Sequence, residues 1–444
     1  MAACGNDVPG FGGLTADVDT GAASTSGTAA SAGSTGADAG SASSSGGESS
    51  DPVASSDGPG AIYDVGDDRP PGECDCGSSL SARYLWVANS GESTISKIDT
   101  DTLVEVGRYL TRSDGAGNPS RTSVSLSGTA VAVANRYGGV TKVWADPSLC
   151  DAQNNGVPGV QTSSGAGDVL PWGQDDCVAW FADFDYTTQR PIAWMAAELD
   201  PHDCTPVSER LWVSGCNKFA DDWIHVHRLD GDDGSVLDSV EVEGLDCVDL
   251  GGYGGAVDPD GNFWVSNLAP QSKLARVDAA TLEVRVWDVP AGVYGITVDR
   301  DGRPWVTCNN GFDGCSAARF DPETETWALA DDHVVSSQSG IAQDPQGRMW
   351  MNGWWYDEQY TPFVVSIDPE TLAVGAPIAT PAGAKGIAVD ALGYVWSVAP
   401  QTNAAYRIDP ATGVVDTVGG LSGPYTYSDM TGAALLGTAC DPAG

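Results

Sequence analysis

From about residue 80 onward the chain is a succession of short apolar runs with period two, broken by turn residues, and it has no helical periodicity. One stretch shows the whole pattern. Gly340-Ile-Ala-Gln-Asp344 reads as a strand, Pro345-Gln-Gly347 as a turn, Arg348-Met-Trp-Met351 as a second strand and Pro362-Phe-Val-Val-Ser-Ile367 as a third. Asp368-Pro-Glu-Thr371 carries type I turn chemistry into a fourth, Leu372-Ala-Val-Gly375.

This unit recurs. Asp-x-x-Gly-x-x-Trp occurs without a gap at Asp258 to Trp264, Asp299 to Trp305, Asp344 to Trp350 and Asp390 to Trp396. Two further copies, around Trp86 and Trp212, keep only the tryptophan strand, and a seventh has Ala132 in that place. Successive copies stand 41 to 52 residues apart, except for one interval of 80. A second signature, an apolar residue leading to Asp, also has seven copies, at Asp99, Asp146, Asp230, Asp278, Asp321, Asp368 and Asp409, and its one long gap falls in the same interval. Units of this length with four strands each are blades, and seven of them predict an all-β, seven-bladed β-propeller of four-stranded antiparallel blades. The recurring tryptophans are then expected to pack between blades, and the turn aspartates to bond to nearby backbone.

The first unit lacks an innermost strand, whereas Pro424-Tyr-Thr-Tyr-Ser-Asp-Met-Thr-Gly432 occupies the place of one with no blade after it. The C-terminal strand is therefore expected to close the first blade. The propeller is assigned to 74–444, with an insertion at about 147–177 between third and fourth strands.

Eleven cysteines without paired CxxC spacing point to disulfides and an oxidising compartment. Expected pairs are Cys308 with Cys315, Cys204 with Cys216, and Cys150 with Cys177. Cys440 is expected to come near Cys74 and Cys76 and lock the ring.

The remaining cysteine explains itself from its neighbours. Met1-Ala-Ala-Cys4-Gly5 resembles the lipobox of bacterial lipoproteins, in which the cysteine receives a lipid; residues 1–4 then read as the remnant of a signal. Residues 5–73 open with a Gly/Ala/Ser/Thr/Asp-rich run that cannot bury enough apolar surface to order itself, and are expected to form a disordered tether. The resulting expectation is a monomer outside the cytoplasmic membrane, anchored by lipid to the outer membrane or cell surface. Sixty-one acidic residues against 21 basic ones, a net charge of −40, exclude nucleic acid as a partner.

Tyr84-Leu-Trp-Val-Ala-Asn89 and the residues up to Thr100 resemble the YVTN-type propeller repeat, and Gly295-Ile-Thr-Val-Asp-Arg-Asp-Gly-Arg-Pro-Trp305 with its sisters resembles streptogramin B lyase and NHL-type propellers. The lyase resemblance implies a His before the Gly-Ile of an innermost strand, and a Glu or His beyond the tryptophan strand, around a magnesium ion. Here the first positions hold Tyr253 or Gly254, Tyr294, Ser339 and Lys385, and the second hold Asn267, Cys308, Gly353 and Ala399. No catalytic residue carries over.

Other chemistry is sparser. Asp151, Gln153 and Asn155 in Asp151-Ala-Gln-Asn-Asn155-Gly156 resemble the start of a calcium loop, although Thr162 stands where a bidentate Glu would close it. His225 and His227 share one face of a strand and lack an evident third metal ligand. The expected working surface is the face bearing the loops between second and third strands. It carries Trp223, Trp354, Trp355, Tyr356, Asp357, Glu358 and Tyr360, with Tyr294 and Lys385 at the mouth of the channel. Two function classes follow. The first is a recognition module for an envelope or extracellular protein, peptide or glycan; the second is a lyase or hydrolase using a divalent metal, for which the motif positions are not matched.

Overall fold

A computed structural model describes residues 83–439 apart from 154, 201, 203, 204, 249, 270, 309–314, 331–334 and 355–360. Cys4, Cys74, Cys76, Cys204, Cys440 and the loop residues Trp355, Tyr356, Asp357, Glu358 and Tyr360 lie outside the described residues.

The Asp-x-x-Gly-x-x-Trp repeat shows why each unit folds. In all four copies the carboxylate accepts the indole N–H six residues on, at 2.8 Å from Trp264, 2.9 Å from Trp305, 2.8 Å from Trp350 and 2.8 Å from Trp396. Its other oxygen accepts the backbone N–H four residues on, from Asn262, Arg303, Arg348 and Tyr394. The turn between requires a left-handed residue, and Gly261, Gly302, Gly347 and Gly393 all have φ between 75° and 88°. One aspartate thus ties the turn to the strand that follows. The tryptophans are 2 % exposed or less and fill the spaces between sheets, as do Trp86 and Trp212.

Seven blades result, and the protein is a seven-bladed β-propeller. Six have four antiparallel strands, with innermost strands Pro119–Val124, Thr188–Trp194, Gly252–Val257, Val293–Val298, Val335–Gln343 and Gly386–Val389. The first blade has three strands, Tyr84–Asn89, Thr94–Asp99 and Val104–Leu110. The tail completes it. Tyr425 N–H donates to Ala88 O (3.0 Å), Trp86 N–H to Met430 O (2.9 Å), and Pro424 bridges Asn89 antiparallel.

Among the described residues, disulfides join Cys150 to Cys177, Cys216 to Cys247 and Cys308 to Cys315. The second replaces the expected pairing of Cys204 with Cys216. Cys216 ends the second strand of the third blade at the same edge where Cys247 leaves the fourth, with Cα atoms 6.0 Å apart, so the bond runs across the blade and not along a hairpin.

The interval of 80 residues has two sources. Residues 147–177 lie between the third and fourth strands of the second blade, and a second excursion, carrying the two-residue strands Glu198–Leu199 and Pro206–Val207, separates the first two strands of the third. One short helix, Ala433–Ala439, was not signalled by any periodicity; seven residues are too few to display one. It follows the closing strand and covers one end of the central channel, against the ends of the innermost strands. A cavity of about 50 Å³ lies above it, lined by Ile192, Ile296, Ile341, Asp429 and Leu435 among others.

Candidate functional site

The innermost strands run the same way, so their first residues ring one end of the channel, its mouth, and their last residues gather at the end the helix covers. Bulges interrupt the ladder near that mouth, at Pro119/Arg121, Gly252/Gly254, Val293/Ile296 and Ser336/Ile341, and in the third blade where Arg190 and Pro191 oppose a single residue. A bulge leaves an extra residue out of the ladder and re-aims its side chain. Arg190, Tyr253 and Tyr294 are such residues.

Their side chains meet across the channel. Tyr253, Tyr294 and Tyr427 form one buried ring cluster, with centroids 5.1 Å apart for Tyr253–Tyr294 and for Tyr294–Tyr427. Tyr425 is at its hub: its hydroxyl lies 3.0 Å from that of Tyr253 and also bonds that of Tyr294. The Arg121 guanidinium crosses from the second blade to donate to Tyr253 O in the fourth (3.0 Å), and it sits 3.2 Å over the Tyr427 ring. Arg190 approaches Tyr253 at 5.5 Å, Arg136 lies 4.4 Å over Tyr425, and Lys385 lies 5.2 Å from the Tyr294 ring. These contacts are cation–π attractions strengthened by burial.

Burial and mutual repulsion shift the groups. Burial pushes the Arg121 guanidinium down to about 9, and burial together with Arg190 pushes that of Arg136 to about 10; both stay charged at neutral pH. Lys385 is lowered by burial. Burial raises the Tyr253 and Tyr294 phenols. It acts on Tyr425 in the same direction, yet Arg121, the two neighbouring phenols and Arg136 together hold that phenol below its ordinary value.

Of the residues expected at a site, Tyr294 and Lys385 come together here. Tyr294 is 2 % exposed, so it contributes its hydroxyl and its packing and does not offer an open ring face. Trp223 starts the third strand of the third blade and Trp354 ends the second strand of the sixth; both are half-buried and both stand on the mouth side. Arg121, Arg136, Arg190, Tyr425 and Tyr427 were not signalled as site residues. The alternating tyrosines of the closing strand were the one available clue.

Asp151, Gln153 and Asn155 of the calcium expectation lie in the insertion outside any strand. Asp151 Oδ1 accepts its own turn N–H from Gln153 (3.1 Å), Asn155 Oδ1 accepts from Val157 (2.7 Å), and Gln153 is exposed. Two of the three oxygens therefore serve local turns, which is what short Asx loops do. Among the described residues no three His, Cys, Asp or Glu side chains gather to hold a metal ion. His225 and His227 stack with Phe184 and Tyr186 on the outer part of the third blade; His227 bonds the Tyr186 hydroxyl (2.7 Å) and Ser239 (2.8 Å), and burial followed by His225 pushes it down to about 4.

No protein-family model matches the chain, and no curated protein matches it in sequence. Among solved structures it is similar in fold to a streptogramin B lyase, with 13% identity over 70% of this chain and 86% of the other and a TM-score of 0.46. A virginiamycin B lyase from Staphylococcus aureus matches at 16% identity over 52% and 73%, with a TM-score of 0.38. AztD from Citrobacter koseri matches at 13% over 77% and 96%, with a TM-score of 0.45. The likeness at this level is one of fold alone.

Proposed function

We propose that the chain is an extracytoplasmic recognition propeller, held to the cell envelope by a lipid on Cys4, and that its channel-mouth face binds an envelope or extracellular protein, peptide or glycan. One observation carries the reading. Half-buried tryptophans from opposite sides of the ring, Trp223 and Trp354, stand on the same face as a channel mouth lined by tyrosine hydroxyls and cations. Rigid strands fix these amphipathic rings, so a ligand binding there orders few side chains. Disulfides fit an oxidising compartment.

The test is a glycan and peptide array probed with the folded propeller, followed by Trp354→Ala and Trp355→Ala. Loss of an anchoring tryptophan is expected to weaken capture by about 30-fold or more. EDTA is expected to leave binding unchanged. Undiminished binding by both variants would overturn this assignment of the face. Mass spectrometry of Cys4 in natively expressed protein tests the anchor, and a free thiol there would remove it.

A further inference from the structure

With 61 acidic side chains for 21 lysines and arginines, each cation in this protein has carboxylates to choose from. Many of the described ones use them, whereas Lys97, Lys142 and Arg300 bond backbone oxygens. Arg108, Arg228, Arg276, Arg303 and Arg407 each have a carboxylate within 2.9 Å or less. The cations at the channel mouth do not. Arg121 donates to the backbone oxygens of Ser120 and Tyr253, Arg136 to Ser90 and Asn118, Arg190 to Thr188 and Leu250, and Lys385 to Gln338. Every acceptor is neutral, and no carboxylate pairs with any of the four among the described residues.

Arg190 repels both Arg121 and Arg136 across three linked phenols, with Lys385 at the edge of the same cluster, and a guanidinium cannot escape by losing its proton. Arg121 is the extreme case. It is fully buried, and its Nε has no hydrogen-bond partner. An unsatisfied buried donor on a charged group costs more than a neutral one. Among the described residues this cluster has no carboxylate partner, although cations elsewhere in the molecule pair with one. Arg136 and Lys385 are half-buried at the mouth end of the channel, and each has N–H donors beyond those in the bonds just named.

We infer that the channel mouth is an oxyanion site, taking the carboxylate or sulfate group of the ligand recognised at this face, with Arg136 and Lys385 as its direct contacts and Arg190 behind them. The inference rests on the mouth face being the recognition surface. The field of the whole protein disfavours anions elsewhere, so the mouth also selects where an acidic ligand docks. Guanidinium and ammonium groups beside tyrosine hydroxyls suit an oxyanion through charge-assisted hydrogen bonds.

The experiment titrates inorganic sulfate, and separately galacturonate against galactose, into the intact propeller at fixed ionic strength, and reads melting temperature and heat of binding. A saturable rise in melting temperature with sulfate or galacturonate, and none with galactose, is expected. Lys385→Gln and Arg136→Gln are each expected to weaken the apparent affinity about tenfold through loss of a charge-assisted bond. Lys273→Gln, which removes only an exposed pair with Asp288, should leave it unchanged. Among the described residues the Lys385 ammonium contacts the backbone of no other blade and bonds only the Gln338 side chain, so its variant keeps the test decisive should Arg136→Gln not fold.

The absence of a saturable response to either anion overturns the site, as does unchanged affinity in Lys385→Gln. Tyrosinate absorbance at neutral pH in anion-free buffer would show Tyr425 itself to be the counter-charge, and would also overturn it. The two proposals fail separately. If sulfate does not bind but Trp354→Ala abolishes ligand capture, the oxyanion site falls and the recognition face stands. Sulfate binding with capture indifferent to both tryptophans reverses that outcome.

Discussion

The four blades whose innermost strands start at Gly252, Val293, Val335 and Gly386 differ in construction from the three before them. In each of the four, one buried aspartate closes its own turn and holds its own tryptophan. The first three lack that motif, and there a lysine or tryptophan reaches a carbonyl of the next blade. Lys97 of the first blade donates to Ala145 O of the second, Lys142 of the second to Gly231 O of the third (2.7 Å), and Trp212 of the third to Gly261 O of the fourth (3.0 Å). Disulfides cross the second and third blades. The difference teaches where chemistry has room. Arg121, Arg136 and Arg190 all come from these irregular blades, whereas the motif-bearing blades supply tyrosines and one lysine at positions just ahead of a fixed turn.

The largest expected effect falls on the irregular half. Replacing Cys216 and Cys247 by alanine opens a loop with a sequence separation of 31 and should lower stability by about 3 to 4 kcal/mol in urea unfolding. Reductant should erase the difference from the parent; a loss below about 1 kcal/mol would mean that the lysine links suffice. In the regular half, Asp390→Ala strands the donors of Leu392, Tyr394 and Trp396 and should cost about 3 kcal/mol, with or without reductant. A reductant-dependent cost would break the distinction between the halves.

A smaller effect separates channel floor from outer blade. Asp429 Oδ2 is buried without a partner and burial raises the carboxyl to about 6, above its unfolded value near 4. The folded state then holds the extra proton between those values, so this group's contribution falls as pH rises from about 4 to 6, by about 2 to 3 kcal/mol. His227 has the opposite sign. Lowered to about 4 from 6.5, its contribution is present at neutral pH and lost as pH falls through that range. The parent's stability profile should be shallow there. Asp429→Asn should uncover a fall towards acid and His227→Gln a fall towards neutrality, and parallel profiles for the two variants would refute the assignment.

Much of the architecture could be read from residues alone because each regular blade is self-contained. An aspartate, a glycine with positive φ and a tryptophan within seven residues fix a turn and a packing surface locally, so counting them counts blades. The missing innermost strand before Tyr84 and the surplus strand at Pro424 likewise pointed to each other. The mouth was only half legible. Tyr294 and Lys385 are found by their place before the Gly-Ile of an innermost strand, but Arg121, Arg136 and Arg190 sit in units with no intact motif and meet only once the ring brings distant blades together. Bulges that re-aim Arg190 and Tyr253 depend on pairing across the sheet, which a linear pattern does not carry. Cys216 found Cys247 for the same reason: proximity in a blade is set by strand order and not by separation along the chain.

The closing strand has a consequence in time. Tyr84–Asn89 is made early, and its partner around Pro424 emerges some 340 residues later. At about 5 to 20 residues per second, that edge waits roughly 20 to 70 s for its mate. Until that strand arrives the ring cannot close, and the edge of Tyr84–Asn89 stays open to mispairing.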